Sequence, residues 1–415
     1  MSVGAVQITH SEDSDKHLTG HHYRPIAVTA MHITFVIQDL YRLGAQYVTS
    51  LIMSGLVRRG HKVDLILSGF HEKTARERPD LIPFPIPQEV VVYNLQHEKA
   101  SRNILPIAAY LRARHPDIIV PIGTYVLPAA IALWLTGSTA KLVPVEHASG
   151  IGVKDNHGYF KDGNVNYKPS IGRRLIISIL TALFGKRTNH VIAVSNGVKD
   201  ALVKTMRLDS RAITVIYNPV VDETFFQKKS QPASHPWLID KQLPVIVAAG
   251  AHVPFKGYDV LLNAFATVTR RKRCRLILFG EGPKQADLKA LACKLGLAEL
   301  VSFPGYTTNL PAELKCADCF VVSSYVESFS IVLVEALACG IPVVATNCPS
   351  GPPEILRGGQ YGSLVETGNA SDLAEGILAI LDGQGKIPPP ESWRRYELDT
   401  VTLQYEDLFG RILRS

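Results

Sequence analysis

The sequence predicts an α/β protein built from two similar parallel sheets. Apolar runs bounded by turn residues alternate with amphipathic stretches along the chain, as parallel strands joined by crossover helices do. The alternation occurs twice, and the two series are separated around residues 218–243, where the chain turns polar and Pro-containing from Asn218-Pro219 through QKKSQPASHP. With 415 residues, 46% hydrophobic and 20% charged, the chain has enough apolar material for two or three domains with large cores.

Residues 1–24 are polar and hold no apolar core of the length a secretory signal needs, so a flexible tail and a cytoplasmic product are expected. The first unit, 25–220, carries strands near Ile33–Ile37, Lys62–Ser68, Val90–Asn94, Ile118–Pro121, Leu142–Glu146, Val191–Ser195 and Ile213–Tyr217. Helices are expected near Ala45–Arg59, Asn103–His115 and Asn196–Lys204. The longest uncharged run, Ile118 to Ala140, is broken by Pro121, Gly123 and Pro128, so it reads as a strand, a turn and a helix and not as a membrane span. The second unit, 243–397, carries strands near Val245–Gly250, Arg275–Gly280, Val301–Phe303, Cys319–Ser323 and Pro342–Thr346, with a helix starting at Tyr258. Ile331–Cys339 forms another helix, because Gly340 suits the residue after a helix end and Pro342 cannot continue the ladder. The last apolar series at helical spacing, Leu398 to Leu413, has no strand after it.

Charge is uneven. Residues 1–220 hold 25 Lys and Arg against 16 Asp and Glu, whereas residues 221–415 hold 19 against 21. Arg173, Arg174, Lys186 and Arg187 bracket the apolar stretch Leu175–Phe184, which suits either an anionic membrane surface or a plain core helix. Nucleic acid is not an expected partner, since the basic residues are not interleaved with aromatics and no recognition motif is present. All six cysteines lie beyond residue 270 and read as small buried hydrophobes. Cys316 and Cys319 have no second pair or histidine at metal-ligand spacing, and no metal is expected.

The chemistry concentrates between Tyr325 and Pro353. Glu327 and Glu335 stand on either side of a loop-to-helix junction, with Ser328–Ser330 as the turn. A helix start carries about half a positive charge and unpaired N–H groups, so donors at residues 329–331 suit a diphosphate. Glu335, a turn further in, can accept two bonds from a vicinal diol such as ribose. A nucleotide sugar meets both demands. A second loop, Gly250 to Gly257, follows the first strand of the second unit and places Lys256 beside the same anion. Gly280-Glu281-Gly282-Pro283 follows a strand but lacks the lysine of a P-loop, and reads as scaffolding on the nucleoside side.

The pattern E-x-F-x-x-x-x-x-E-A-x-A-C-G-x-P-V-V-A-T, read from Glu327 to Thr346, resembles the retaining, family 4 type glycosyltransferases with two Rossmann domains. The resemblance runs from Ile33 to Leu413 and is stronger in the second half. It implies two Rossmann-like domains facing each other across a cleft (GT-B), with the last helix crossing back to the first. It also implies that Lys256 neutralises the departing diphosphate, that Glu327 holds hydroxyls of the donor sugar and that Glu335 holds the ribose. Main-chain groups of Phe329 and Ser330 would meet the phosphates, and Gly250 would let the backbone approach them. Tyr306 falls at the position beside the base, and His147, after the strand ending at Glu146, at the position that holds the donor sugar from the first domain. Gly44 permits close approach in the first turn, although Leu43 stands where the family has a second glycine. Ala251 replaces the family's arginine, leaving His252 or another base to supply that contact. Ser195 and Asn196 match a family motif and read as a cap on the next helix.

What the resemblance implies is transfer of a hexose or N-acetylhexosamine from a nucleotide diphosphate sugar, UDP-linked by expectation, to a hydroxyl acceptor. Configuration is retained by front-face attack, without a metal or a further cofactor. The CPSGPPEIL and YGSLVE segments are similar to bacterial enzymes of surface polysaccharide or lipid-linked oligosaccharide synthesis, which implies a glycan or lipid-linked glycan acceptor and a peripheral place on the inner membrane face. Two other readings remain: a nucleotide-sugar 2-epimerase of the same architecture, and a nucleotide-sugar-binding protein without turnover.

Overall fold

The computed structural model describes residues 29–40, 44–68, 84–95, 99–147, 160–161, 164–165 and 190–415. The tail at 1–24 and the basic segment 173–187 lie outside the described residues. In the first half, β1 (His32–Ile37), α1 (Gly44–Arg58), β2 (Lys62–Leu67), β3 (Val91–Asn94), α2 (Ile104–Arg114), β4 (Ile118–Pro121), α3 (Val126–Thr136) and β5 (Lys141–Leu142) come in succession. The order β3-β2-β1-β4-β5 is parallel throughout. The strand expected at Leu142–Glu146 is split at Val143-Pro144, and resumes as β6 (Val145–Glu146). Proline has no N–H to give a ladder, so the break falls where the sequence forces it. β6 bridges Ile122 and leads a second parallel group, after the short hairpin β7 (Phe160–Lys161) and β8 (Asn164–Val165), with β9 (Val191–Ala193), α4 (Asn196–Met206) and β10 (Ile213–Val215).

The second half begins with α5 (Glu223–Ser230) and α6 (Pro236–Ile239). It continues through β11 (Val245–Ala249), α7 (Tyr258–Arg271), β12 (Arg275–Phe279), α8 (Gln285–Lys294), β13 (Val301–Gly305), α9 (Leu310–Leu314) and β14 (Cys319–Val322). Next come α10 (Ile331–Cys339), β15 (Val343–Thr346), α11 (Pro352–Ile355), β16 (Ser363–Val365) and α12 (Ala370–Ala379). These strands form one sheet in the order β13-β12-β11-β14-β15-β16, all parallel. The sequence did not mark β16 as a strand.

The central strands read as nearly unbroken apolar runs because they are buried on both faces. In β11, Val245, Val247 and Ala249 join one core cluster while Ile246 and Ala248 join another. β1 divides likewise, with Ile33, Phe35 and Ile37 on one side and Val36 on the other.

The chain crosses between halves twice, and the crossings pair: Val221 bridges Glu397, and the N–H of Val220 donates to the Tyr396 carbonyl at 2.9 Å. The second crossing delivers α13 (Leu398–Arg414) to α1. The helices approach closely at Gly55, where a Cβ would come 2.1 Å from Thr402 Oγ1. Beside it, buried Glu406 accepts from Arg59 Nε at 2.7 Å and from His61 Nε2 at 3.0 Å. The Nδ1 of His61 accepts from the N–H of Met31 at 3.2 Å, so the imidazole is the Nε2–H form and donates to the carboxylate.

Candidate donor site

β11 and β14 are neighbours at the centre of the second sheet, where strand order reverses, and in such folds ligands bind beyond the carboxyl ends of the strands. Lys256 sits after β11 in a single turn of 3-10 helix, Pro254–Lys256, that Gly257 closes at φ 62°. A Cβ on Gly257 would come 2.2 Å from the Ser323 carbonyl, and Ser323 Oγ donates to the Lys256 carbonyl at 2.8 Å. The end of β14 thus fixes the backbone that carries the lysine.

The ammonium of Lys256 meets Glu327 Oε1 at 2.6 Å, with side chains 17% and 9% exposed. Ser324 Oγ donates to the same oxygen at 2.9 Å, and Thr346 Oγ1 donates to the Ser324 carbonyl at 2.5 Å. Lys256, Tyr258, Ser324, Glu327 and Val332 line one small pocket. Tyr258 is buried, and burial followed by the nearby Glu327 raises its pKa, keeping the phenol neutral.

Ser330 precedes α10 at φ 100°, a left-handed conformation uncommon for a residue with a side chain, and its buried hydroxyl has no hydrogen-bond partner. Such strain clusters at ligand clamps. Phe329 is buried against Tyr217 and Tyr396, at ring separations of 6.0 and 5.4 Å, so the crossings support the start of α10. Glu335 lies on α10, where burial pushes its carboxyl up to about 7 and Lys228 pulls the other way.

From the first half, Gly44 opens α1 opposite α10: a Cβ there would stand 3.1 Å from Ile331 Cδ1. Tyr47, on the first turns of α1, feels the charge of Glu335 and lies near Tyr306, and burial is the main reason its phenol pKa is raised. Tyr306 is 48% exposed. His147 follows β6, and burial lowers its pKa to about 4, so its imidazole is neutral near pH 7; its Nε2 is buried without a partner.

The structure therefore gathers Lys256 and Glu327, and brings the α1 start to α10 and Glu335. It removes one expectation. His252 does not supply the charge missing at Ala251: it is fully buried edge-on to Tyr258 and Phe303, and burial lowers its pKa. It occupies a core position, and a Cβ on Gly282 would come 2.6 Å from its carbonyl. Gly250, at φ 150°, lies beneath this loop with Tyr258 and Lys256 nearest. Ser195 caps α4, accepting from the Val198 N–H at 3.1 Å.

Sequence reasoning missed Ser324, Tyr47 and Tyr258. Strand-end position marks the serine, but only folding pairs it with Glu327.

The parallel α/β halves have the arrangement of GT-B glycosyltransferases, the fold of the solved structures that the chain resembles. Two family models divide the chain, one described as Glycosyltransferase Family 4 over residues 44–224 and one as Glycosyl transferases group 1 over residues 230–397. The chain belongs to the family 4 type of glycosyltransferases. It is similar to the N-acetyl-alpha-D-glucosaminyl L-malate synthase of Bacillus anthracis, 23% identical over 379 residues, 87% of this chain and 92% of that one. It is also similar to the N-acetylgalactosamine-N,N'-diacetylbacillosaminyl-diphospho-undecaprenol 4-alpha-N-acetylgalactosaminyltransferase of Campylobacter jejuni, 27% identical over 53% of this chain and 58% of that protein. Among solved structures it resembles a glycosyltransferase of Rickettsia africae (TM-score 0.73, 18% identity, 93% of this chain and 100% of that one). It also resembles Anabaena HepE in complex with UDP (TM-score 0.69, 22% identity, 92% and 100%).

Proposed function

We propose that this glycosyltransferase moves a hexose or N-acetylhexosamine from a UDP-linked donor to a hydroxyl of a lipid-linked or polysaccharide glycan, with retention of configuration. The observation that carries the reading is the Lys256–Glu327 pair at 2.6 Å beside the start of α10. In this reading Lys256 and the helix start neutralise the diphosphate as the bond from sugar C1 to phosphate oxygen breaks. The acceptor oxygen bonds to C1 on the same face, and its proton passes to the leaving phosphate. Glu327 accepts from donor-sugar hydroxyls, Glu335 and Tyr306 receive the nucleoside, and neutral His147 contacts the sugar from the first domain. Fixed positive groups supply the charge stabilisation, so turnover is expected to survive EDTA.

The relatives support the donor class: the Bacillus protein is named for N-acetylglucosaminyl transfer, and HepE was solved with UDP and with glucose. The Campylobacter relative, named for an undecaprenol-linked acceptor, supports the lipid-linked class. The basic balance of residues 1–220 supports contact with an anionic membrane face, and no helix among the described residues is long and apolar enough to cross a membrane. Sedimentation with phosphatidylglycerol vesicles tests this; no binding at low salt refutes it.

The primary test is a thermal-shift screen of UDP, GDP and ADP sugars, followed by product analysis with an acceptor pool. Stabilisation by UDP sugars and an acceptor-dependent product with the donor's anomeric configuration are expected. An inverted product overturns retention, and donor rearrangement without acceptor overturns transfer.

A further inference from the structure

The start of α4, in the first half, is closed by a carboxylate from the second. Glu354 Oε2 accepts from the main-chain N–H of Asn196 at 2.8 Å, from its side-chain amide at 3.0 Å and from the Tyr217 hydroxyl at 3.1 Å. Its Oε1 accepts from the N–H of Gly197 at 2.9 Å. Unpaired donors at the positive end of an eleven-residue helix make this a strong seat for an anion, and the protein fills it from its own chain.

The segment that leads into α11 and carries Glu354 also touches the donor site. A Cβ on Gly197 would fall 2.0 Å from Ser350 Cβ, so helix start and loop meet as closely as glycine allows. Ser350 is buried, and its hydroxyl donates to the main-chain carbonyl of Glu327. Gly351, at φ 80°, passes under Phe329, where a Cβ would come 2.1 Å from the Phe329 carbonyl and 3.2 Å from Glu327 Cβ. One short segment therefore grips α4 at Glu354 and, three to four residues earlier, sets the backbone of Glu327 and Phe329.

We infer that Glu354 is a positioning residue for the transfer reaction: it fixes the first half of the molecule, through α4, to the loop that orients Glu327 and Phe329. This rests on the reading of those two residues as donor contacts. Glu354→Gln keeps the size of the side chain but turns an NH₂ toward donors that need an acceptor. Gly197→Ala keeps the Glu354 carboxylate and crowds Ser350 and the backbone before it.

The test is amide hydrogen exchange on the full chain, with UDP affinity by calorimetry. In Glu354→Gln, exchange at residues 196–198 is expected to rise tenfold or more and at 327–330 at least threefold, while β12 is unchanged and UDP binds three- to tenfold more weakly. Gly197→Ala is expected to reproduce the effects at 327–330 and on UDP. The inference is overturned if 327–330 and UDP affinity stay at wild-type values in Glu354→Gln, whatever Gly197→Ala does, or if β12 accelerates equally, which marks general loosening. The expected exchange pattern in a protein whose wild type does not bind UDP leaves this linkage standing and removes the donor reading instead.

Discussion

Lys256 and Glu327 are both largely shielded from water, and each compensates the other's charge. Truncating the lysine removes the cation expected at the diphosphate and leaves a shielded carboxylate held by Ser324 alone among the hydrogen bonds described above. A charge-assisted contact of this kind contributes about 1.5–3 kcal/mol, so Lys256→Ala is expected to weaken UDP binding roughly tenfold to a hundredfold, measured by calorimetry. Glu335 gives a pH signature. Its folded pKa of about 7 stands above the ordinary 4.5, so between these values the folded protein keeps a proton that the unfolded chain has lost. Stability contributed through this group therefore falls as pH rises across that window. Binding runs the other way, because only the carboxylate accepts two hydroxyls. UDP affinity is expected to rise through pH 7 in the wild type relative to Glu335→Gln, the comparison cancelling titration of UDP itself; identical pH profiles would refute the ribose role.

At the scale of elements, the packing of α13 on α1 is set by one small residue and one buried acid. Alanine at Gly55 gains up to about 1 kcal/mol of helix propensity, but its methyl group must displace Thr402, and overpacking costs about 1–3 kcal/mol. Crowding wins: Gly55→Ala is expected to lower the melting temperature, and Thr402→Ala in addition to recover at least half of the loss. Glu406→Ala is expected to cost about 1–3 kcal/mol in urea unfolding, since it leaves the buried Nε2–H of His61 without its acceptor, while Arg59 can turn to solvent. The central strands β1, β11, β12, β14 and β15 were legible because they are apolar runs buried in the sheets, and α10 because Gly340 and Pro342 end it. β16 was not, since Ser363-Leu364-Val365 is too short to show a period. The split at Pro144 was also missed, although the proline itself carried the signal.

For the whole molecule, the spacing of Glu327 and Glu335 and the strand-loop-helix around Lys256 exposed the site in sequence, because each is local. Contacts joining residues more than a hundred positions apart, Glu354 to Asn196 and Tyr47 to the neighbourhood of Glu335, have no local trace. Expected roles also failed where burial decides: His252 reads as a spare base in a loop and is a core residue in the fold. Because the expected nucleotide contacts other than Gly44 and His147 lie in the second half, UDP at a hundredfold excess over Kd should add about 2.7 kcal/mol there. Amide hydrogen exchange with and without UDP is expected to show the greater protection at β11 and β12, with β1 and β2 following less.

The docking of α13 on α1 also orders events at the ribosome. Helix α1 is made early, yet the partner that covers Gly55 and supplies the carboxylate for Arg59 and His61 is translated only after the entire second sheet. The first half thus waits, with one flank uncovered, until the rest has emerged, and nascent chains stalled before residue 398 should bind chaperones that the released polypeptide no longer needs.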